Sequence, residues 1–243
     1  MKSAICVCFV LVLCASSVVA QKTKPWMEWS KKEVEKTLTD SAWGQTQTEQ
    51  TSRQPTQTSA ITQVAAPRAA GRELDREGES GESKPAAPTK FFVRFLSAKP
   101  VRAAFARQVL LSQKEASAEL TTQLQGFVDR DFADYIVISV GVEAGDQRMG
   151  AMLQRAFTAA TTDALKESVY LERKDGKRVF LMEYRAPVAD GMGAKFVFPR
   201  ALDGQPFLTE ADNVRFFAQL SEKLKLNTRY KLSDMMYDGK LEY

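Results

Sequence analysis

From residue 222 to 232 apolar and polar side chains alternate along the chain. Leu224, Leu226, Thr228, Tyr230 and Leu232 fall on one side, and Lys223, Lys225, Asn227, Arg229 and Lys231 on the other. A period of two predicts a strand with one buried face and one solvated basic face. Residues 91–96 predict a short strand. Residues 134–142 form an apolar, β-branched run that predicts a buried one. The runs 169–173 and 177–184 flank Asp175-Gly176, which predicts a hairpin closed by a two-residue type I′ turn. Pairing Arg173 with Arg178 then sets Leu171 opposite Phe180 and Val169 opposite Met182 on one face, with Glu172 on the solvated face behind. Residues 195–198 predict a further strand stopped by Pro199. Residues 214–220 alternate less cleanly, with a helix as the competing reading.

The helical period appears earlier. Ser97 reads as an N-cap and Pro100 falls in the first turn, where its missing N–H costs nothing. Val101, Phe105, Val109 and Leu110 or Leu111 follow at helical spacing. Residues 117–127 predict a second helix, with Leu120, Leu124 and Phe127 on one face. Residues 149–165 predict a third, with Met152, Leu153, Ala156, Phe157, Ala160 and Ala164 on its buried side. Helices followed by antiparallel strands imply an α+β domain over residues 90–243, mostly antiparallel sheet with about three helices in its N-terminal half. Residues 45–89 are rich in Gln, Thr, Ser, Ala and Pro, with Ile61, Val64 and Leu74 as the large apolar side chains. Such a stretch buries too little surface to offset its ordering entropy, so a disordered linker is expected there.

The N-terminus changes the picture of where the protein works. Lys2 precedes an apolar run over residues 4–13, and Val18-Val19-Ala20 supplies small residues at a cleavage site. This is the pattern of a signal peptide over residues 1–20. The run is short for a bilayer span, which needs about 20 residues. The expectation is an exported protein, periplasmic or secreted. Lipidation of Cys14 is the competing reading, disfavoured by Leu13 where the lipidation machinery wants a small residue. The sequence holds 3 cysteines, all in this leader, and no histidine. A mature chain without either has no Cys or His nucleophile, no Ser-His-Asp triad and few routes to a zinc site. No cofactor is expected. The net charge of +4 is mixed along the chain and gives no nucleic-acid footprint.

Trp26, Trp29 and Trp43 are the chain's 3 tryptophans. They crowd into residues 21–44, around a charged helix expected over 28–38 that carries Met27, Val34 and Leu38 on one stripe. Tryptophan anchors dominate interface energies. Trp26, Trp29, Val34, Leu38 and Trp43 are therefore the candidate docking residues. Three occupants compete: the chain's own domain or a second copy, a separate envelope protein, and a membrane surface favoured by Lys22, Lys24, Lys31, Lys32 and Lys36.

Other candidate chemistry reads more plainly as structure. Asp129, Asp131 and Asp134 place carboxylates close together, but without the glycine and terminal glutamate of a calcium loop, and Arg130 opposes a cation. Asp190-Gly191-Met192-Gly193 and Asp203-Gly204 read as turns, since a strand and not a helix follows the first. Glu167, Glu172 and Glu183 read as surface charges beside the hairpin, not as a catalytic pair.

Three stretches carry a resemblance: residues 25–32 (PWMEWSKK), 95–102 (FLSAKPVR) and 233–240 (SDMMYDGK). In these the chain resembles a group of uncharacterised exported bacterial proteins of the acidobacterial type. The Gly-Trp-x-Thr-Asp motif after which some of that group are labelled is absent here. The resemblance implies export and a shared architecture, and no activity, cofactor or catalytic residue. The functional expectation is a non-enzymatic interaction or structural protein of the envelope that docks through its tryptophan segment. Its alternatives are a carboxylate- or lysine-based hydrolase of envelope polymers and a peripheral membrane binder.

Overall fold

The computed structural model describes residues 24–49 and 87–243. The leader, Cys14 and linker residues 50–86 lie outside the described residues. The first described stretch contains a 3₁₀ turn at Trp26–Glu28, helix α1 (Lys31–Thr39) and strand β1 (Gly44–Glu49). Residues 45–49 thus pair in a sheet instead of belonging to a linker. A glycine followed by five alternating Gln, Thr and Glu residues carries no strand signal of its own; β2 supplies the template.

Ser30 starts α1 with a capping box. Its hydroxyl accepts the Glu33 N–H at 3.3 Å and its own N–H donates to the Glu33 carboxylate at 2.6 Å. That backbone N–H, then the Ser30 hydroxyl and Lys24, hold the Glu33 carboxyl down at about 2. A lowered carboxyl stabilises the fold above its unfolded value, 4.5, and loses that contribution as pH falls through about 2. Glu33→Gln is expected to flatten part of the acid decline in melting temperature between pH 4.5 and 2. Parallel wild-type and variant curves would show that the Glu33 charge contributes nothing, since a glutamine can still close the box.

The second stretch runs β2 (Thr89–Phe95), α2 (Lys99–Ser112), α3 (Ala118–Val128), β3 (Tyr135–Glu143), α4 (Gln147–Ala159), α5 (Thr162–Leu165), β4 (Val169–Arg173), β5 (Arg178–Phe180), β6 (Glu183–Arg185) and β7 (Ala194–Pro199). It continues with β8 (Ala201–Leu202), β9 (Gln205–Pro206), β10 (Asn213–Gln219), β11 (Lys225–Lys231), β12 (Met236–Tyr237) and β13 (Lys240–Leu241). The fold is α+β, with every strand pair antiparallel.

A five-stranded sheet in the order β1-β2-β3-β7-β6 faces a four-stranded sheet in the order β11-β10-β4-β5. The core lies between them. Phe216 meets Phe196 and Phe198 at 5.6 and 6.2 Å, and Phe95 meets Tyr230 at 4.8 Å, all edge to face. Both margins are stitched. At one, Gln45 donates to the Arg229 carbonyl, while Gln47 donates to the Lys225 carbonyl and accepts the Asn227 N–H, each at 2.8 Å. Glutamine amides thereby occupy edges that would otherwise invite foreign strands. At the other margin the chain steps between sheets: Leu181 N–H bonds Val169 in one and Met182 N–H bonds Val197 in the other. On the outer face of the five-stranded sheet α1 packs against β1 and β2, and α2 packs against α1 with Phe105 beside Arg94. The outer face of the four-stranded sheet faces solvent.

The expected single strand over 177–184 is therefore two strands in two sheets, and the hairpin register is shifted by one. Tyr170 pairs Phe180, Leu171 pairs Val179, and Glu172 pairs Arg178. Arg173 N–H bonds the Lys177 carbonyl around a three-residue loop in which Gly176 alone has a positive φ, 81°. A type I turn closed by a left-handed glycine has replaced the type I′ turn. The slip buries Val179 and Leu181 and leaves Phe180 and Met182 exposed. The type I′ geometry does occur at Asp203-Gly204 and Asp238-Gly239, where both residues have positive φ.

Smaller departures have local causes. Ser97 is not the N-cap of α2; Ala98 is, and the buried Ser97 hydroxyl instead accepts the Val137 N–H at 3.0 Å. Helix α2 buries its first half, and Val109 and Leu111 are exposed. The expected third helix breaks after Ala159, and Met152 is exposed.

Candidate functional site

The candidate docking residues are components of the core. Trp26, Trp29, Val34 and Leu38 are all buried. Trp29 Nε1 donates to the Lys24 carbonyl at 3.0 Å, and Arg107 of α2 donates to the Trp29 carbonyl at 2.8 Å. Trp43 is half-buried, donates to the Glu242 carbonyl at 2.8 Å and stands edge-on to Tyr237. Of the expected stripe, Met27 is exposed. These tryptophans dock, but onto their own chain. A separate partner or a membrane has no access to the four buried ones in this fold.

The loop carboxylates divide among structural tasks. Asp129 ends α3, accepts from Gln125 and pairs with Lys99 at 2.8 Å. Asp190 accepts the Met192 N–H and pairs with Lys195 at 2.6 Å. Among the described residues no group of three or more His, Cys, Asp or Glu is placed to hold a metal ion. Where carboxyl shifts are resolved, at Glu33, Asp129, Asp175, Glu183 and Asp234, each is downward and each has hydrogen-bond donors as its main cause. An acid catalyst would need the opposite shift.

The face that remains open belongs to the four-stranded sheet. Alternation turns Lys225, Asn227, Arg229 and Lys231 of β11 outward, with Asn213, Arg215, Phe217 and Gln219 of β10 beside them. Tyr170 and Glu172 of β4 and Arg178 and Phe180 of β5 complete the face. The register aligns them in rows. One row is Asn227, Phe217, Tyr170 and Phe180; the next is Arg229, Arg215, Glu172 and Arg178. Tyr170 stacks on Phe217 at 5.0 Å, and the Arg178 guanidinium lies 4.3 Å from the Tyr170 ring centre. Glu172 is clamped between Arg178 and Arg215, the latter at 2.9 Å.

Among the described residues of these four strands, Glu172 is the one carboxylate on the outward face, against Arg178, Arg215, Lys225, Arg229 and Lys231. Arg178 and Arg215 share Glu172, and Lys231 pairs with exposed Asp234 at 2.8 Å. Lys225 and Arg229 have no acidic partner among the described residues. A groove of about 470 Å³ runs beside Arg229, lined by Glu172, Lys174, Asn213, Arg215 and Lys231 among others. The basic side of β11 was visible in the alternation. Its meeting with Arg215 and Arg178 was not, because those residues reach the same face only through the register. No helix among the described residues is long and apolar enough to cross a membrane. No family model, curated protein or solved structure matches the chain.

Proposed function

We propose that this is an exported, non-enzymatic binding protein that holds a linear acidic polysaccharide across the outward face of its four-stranded sheet. The observation that carries the reading is the row Arg229–Arg215–Glu172–Arg178 with Lys225 and Lys231 beside it, on a sheet face that no helix among the described residues covers. Such a surface attracts polyanions through its summed field. The rings favour a sugar polymer over single-stranded nucleic acid. Bases bind such surfaces by stacking on successive open rings; here Tyr170 carries Phe217 and the Arg178 guanidinium against its ring, so the charged row and not ring stacking supplies the contacts, as an acidic polymer without bases requires.

The test is heparin binding by calorimetry, with neutral dextran, oligo-dT and phosphatidylglycerol vesicles alongside. Heparin is expected to bind in a salt-dependent way and dextran not at all. Lys225→Glu with Arg229→Glu is expected to weaken heparin about tenfold or more, or about 1.4 kcal/mol, without moving the melting temperature. Unchanged heparin affinity in that variant overturns the proposal. Tighter binding of oligo-dT or of vesicles would make the ligand a nucleic acid or a lipid surface and overturn it equally.

A further inference from the structure

We infer that a second, separate site lies on the opposite side of the molecule: a pocket in which Arg94 receives the carboxylate of a small amphipathic molecule. Arg94 is buried, with 7% of its surface exposed, on the outer face of β2. Its Nε donates to the Leu38 carbonyl at the end of α1 at 2.7 Å. Phe92 and Phe105 flank the guanidinium at 4.9 and 5.3 Å. No carboxylate pairs with it, and its two terminal amino groups have no acceptor among the described residues.

The contrast with Arg102 shows what a purely structural arginine looks like here. Arg102 is equally buried, and its three nitrogens donate to the carbonyls of Val128, Leu96, Ser97 and Arg130. Burying a charge without such partners is costly. At Arg94 that cost is left outstanding. Burial pulls the Arg94 guanidinium down to about 10, which still leaves it cationic at neutral pH.

The guanidinium opens onto a pocket of about 680 Å³, lined by Phe92, Gly141, Leu153, Phe157 and Val188 among others. That volume is within the usual range of small-molecule sites, about 300–1,000 Å³. Gly141 makes room for the charged group, since a Cβ there would lie 3.1 Å from Arg94 Nη1. Ser139 faces Arg94 across the β2–β3 pair, fully buried, and its hydroxyl has no partner. Glu143 also lines the pocket, but it is paired with Lys90 at 2.8 Å. The chemistry is thus one unsatisfied fork of donors at one end and, beyond it, walls in which Phe92, Leu153, Phe157 and Val188 alternate with the polar Glu143 and Gln154 and with glycine backbone. A planar carboxylate matches the fork with two parallel hydrogen bonds, and an apolar body matches those four apolar side chains.

Octanoate and octan-1-ol, titrated into the whole protein and followed by calorimetry and amide NMR shifts, separate the charge from the chain. Octanoate is expected to bind saturably, shifting the Phe92, Gly141 and Val188 amides, and the alcohol at least tenfold more weakly. Val188→Trp, at an exposed position, is expected to fill the pocket and abolish octanoate binding with the melting temperature unchanged. Arg94→Lys is expected to weaken it at least tenfold by removing the fork. Lys225→Glu with Arg229→Glu is expected to leave octanoate binding intact, whatever it does to heparin. The inference is overturned if wild-type protein does not saturate with octanoate, if the alcohol binds as well, if Val188→Trp binds normally, or if the Lys225/Arg229 variant loses octanoate.

Discussion

A variant lacking residues 24–49 is expected not to fold. The deletion removes β1, whose six residues pair with β2 from Gly44↔Arg94 to Glu49↔Thr89. It removes the glutamine bridges that close the seam against β11. It also takes away Trp26, Trp29, Val34 and Leu38, all buried. Burying an aliphatic side chain contributes about 1.5–3 kcal/mol, and truncating a buried tryptophan costs about 3–5 kcal/mol. Together these approach or exceed about 10 kcal/mol, against a typical total stability of about 5–15 kcal/mol. The Leu38 carbonyl that holds Arg94 is lost as well, so a buried guanidinium is left with no hydrogen bond among the described residues. Far-ultraviolet dichroism, near-ultraviolet dichroism and a thermal melt give the readout. A sharp melt and native-like aromatic dichroism in the deletion variant would show that the segment is an appendage, as a free docking helix would be. Recovery of structure on adding residues 24–49 as a separate peptide would show directly that the segment is a missing piece of the core.

How far the fold could be read ahead of the structure depended on whether each residue was decided locally. Over residues 224–232, which contain β11, every position agrees with its neighbours, and the five residues expected inside are the five found buried. Helix α3 begins at the serine expected to cap it, with the hydroxyl accepting the Leu120 N–H at 3.1 Å. The hairpin after α5 was different. Arg173, Lys174, Lys177 and Arg178 are interchangeable in polarity, so the loop type decided the register. Asp-Gly permits a two-residue and a three-residue loop alike, and burial of Val179 and Leu181 favours the longer one. The tryptophan segment was conspicuous in composition, yet its destination was not. A strongly apolar surface element binds whatever groove is nearest, and here α2 provides it. Neither candidate site is local. The row Arg229–Arg215–Glu172–Arg178 comes from four strands, and Arg94, Gly141 and Val188 are brought together by β2, β3 and the loop before β7. Spacing along the chain shows the basic side of β11 and nothing else of either site.

Tyr230 carries the second large effect, because it fastens one sheet to the other. Its ring meets Phe95 at 4.8 Å, and its hydroxyl donates to the Val93 carbonyl of β2 at 2.9 Å across the core. Two substitutions divide its contribution. Tyr230→Phe keeps the ring and loses the hydrogen bond, for an expected cost of about 1 kcal/mol. Tyr230→Ala also opens a cavity between the sheets, and about 3–5 kcal/mol is expected, in line with other buried aromatics. Burial pushes the Tyr230 hydroxyl above the usual phenol range and the Tyr184 hydroxyl up to about 12. Both therefore favour the fold fully below the unfolded value of 10.0 and lose that contribution as pH rises above it, Tyr184 through about 12 and Tyr230 higher still. Tyr230→Phe is expected to be less stable than wild type at pH 8 and to show a shallower decline above pH 10, so that the two curves converge. Urea unfolding at pH 8, 10 and 11 measures this. Parallel curves would show that Tyr230 is not neutral and buried in the folded state, and a loss below 1 kcal/mol for Tyr230→Ala would show that the two sheets do not meet there as closely as the 4.8 Å contact with Phe95 requires.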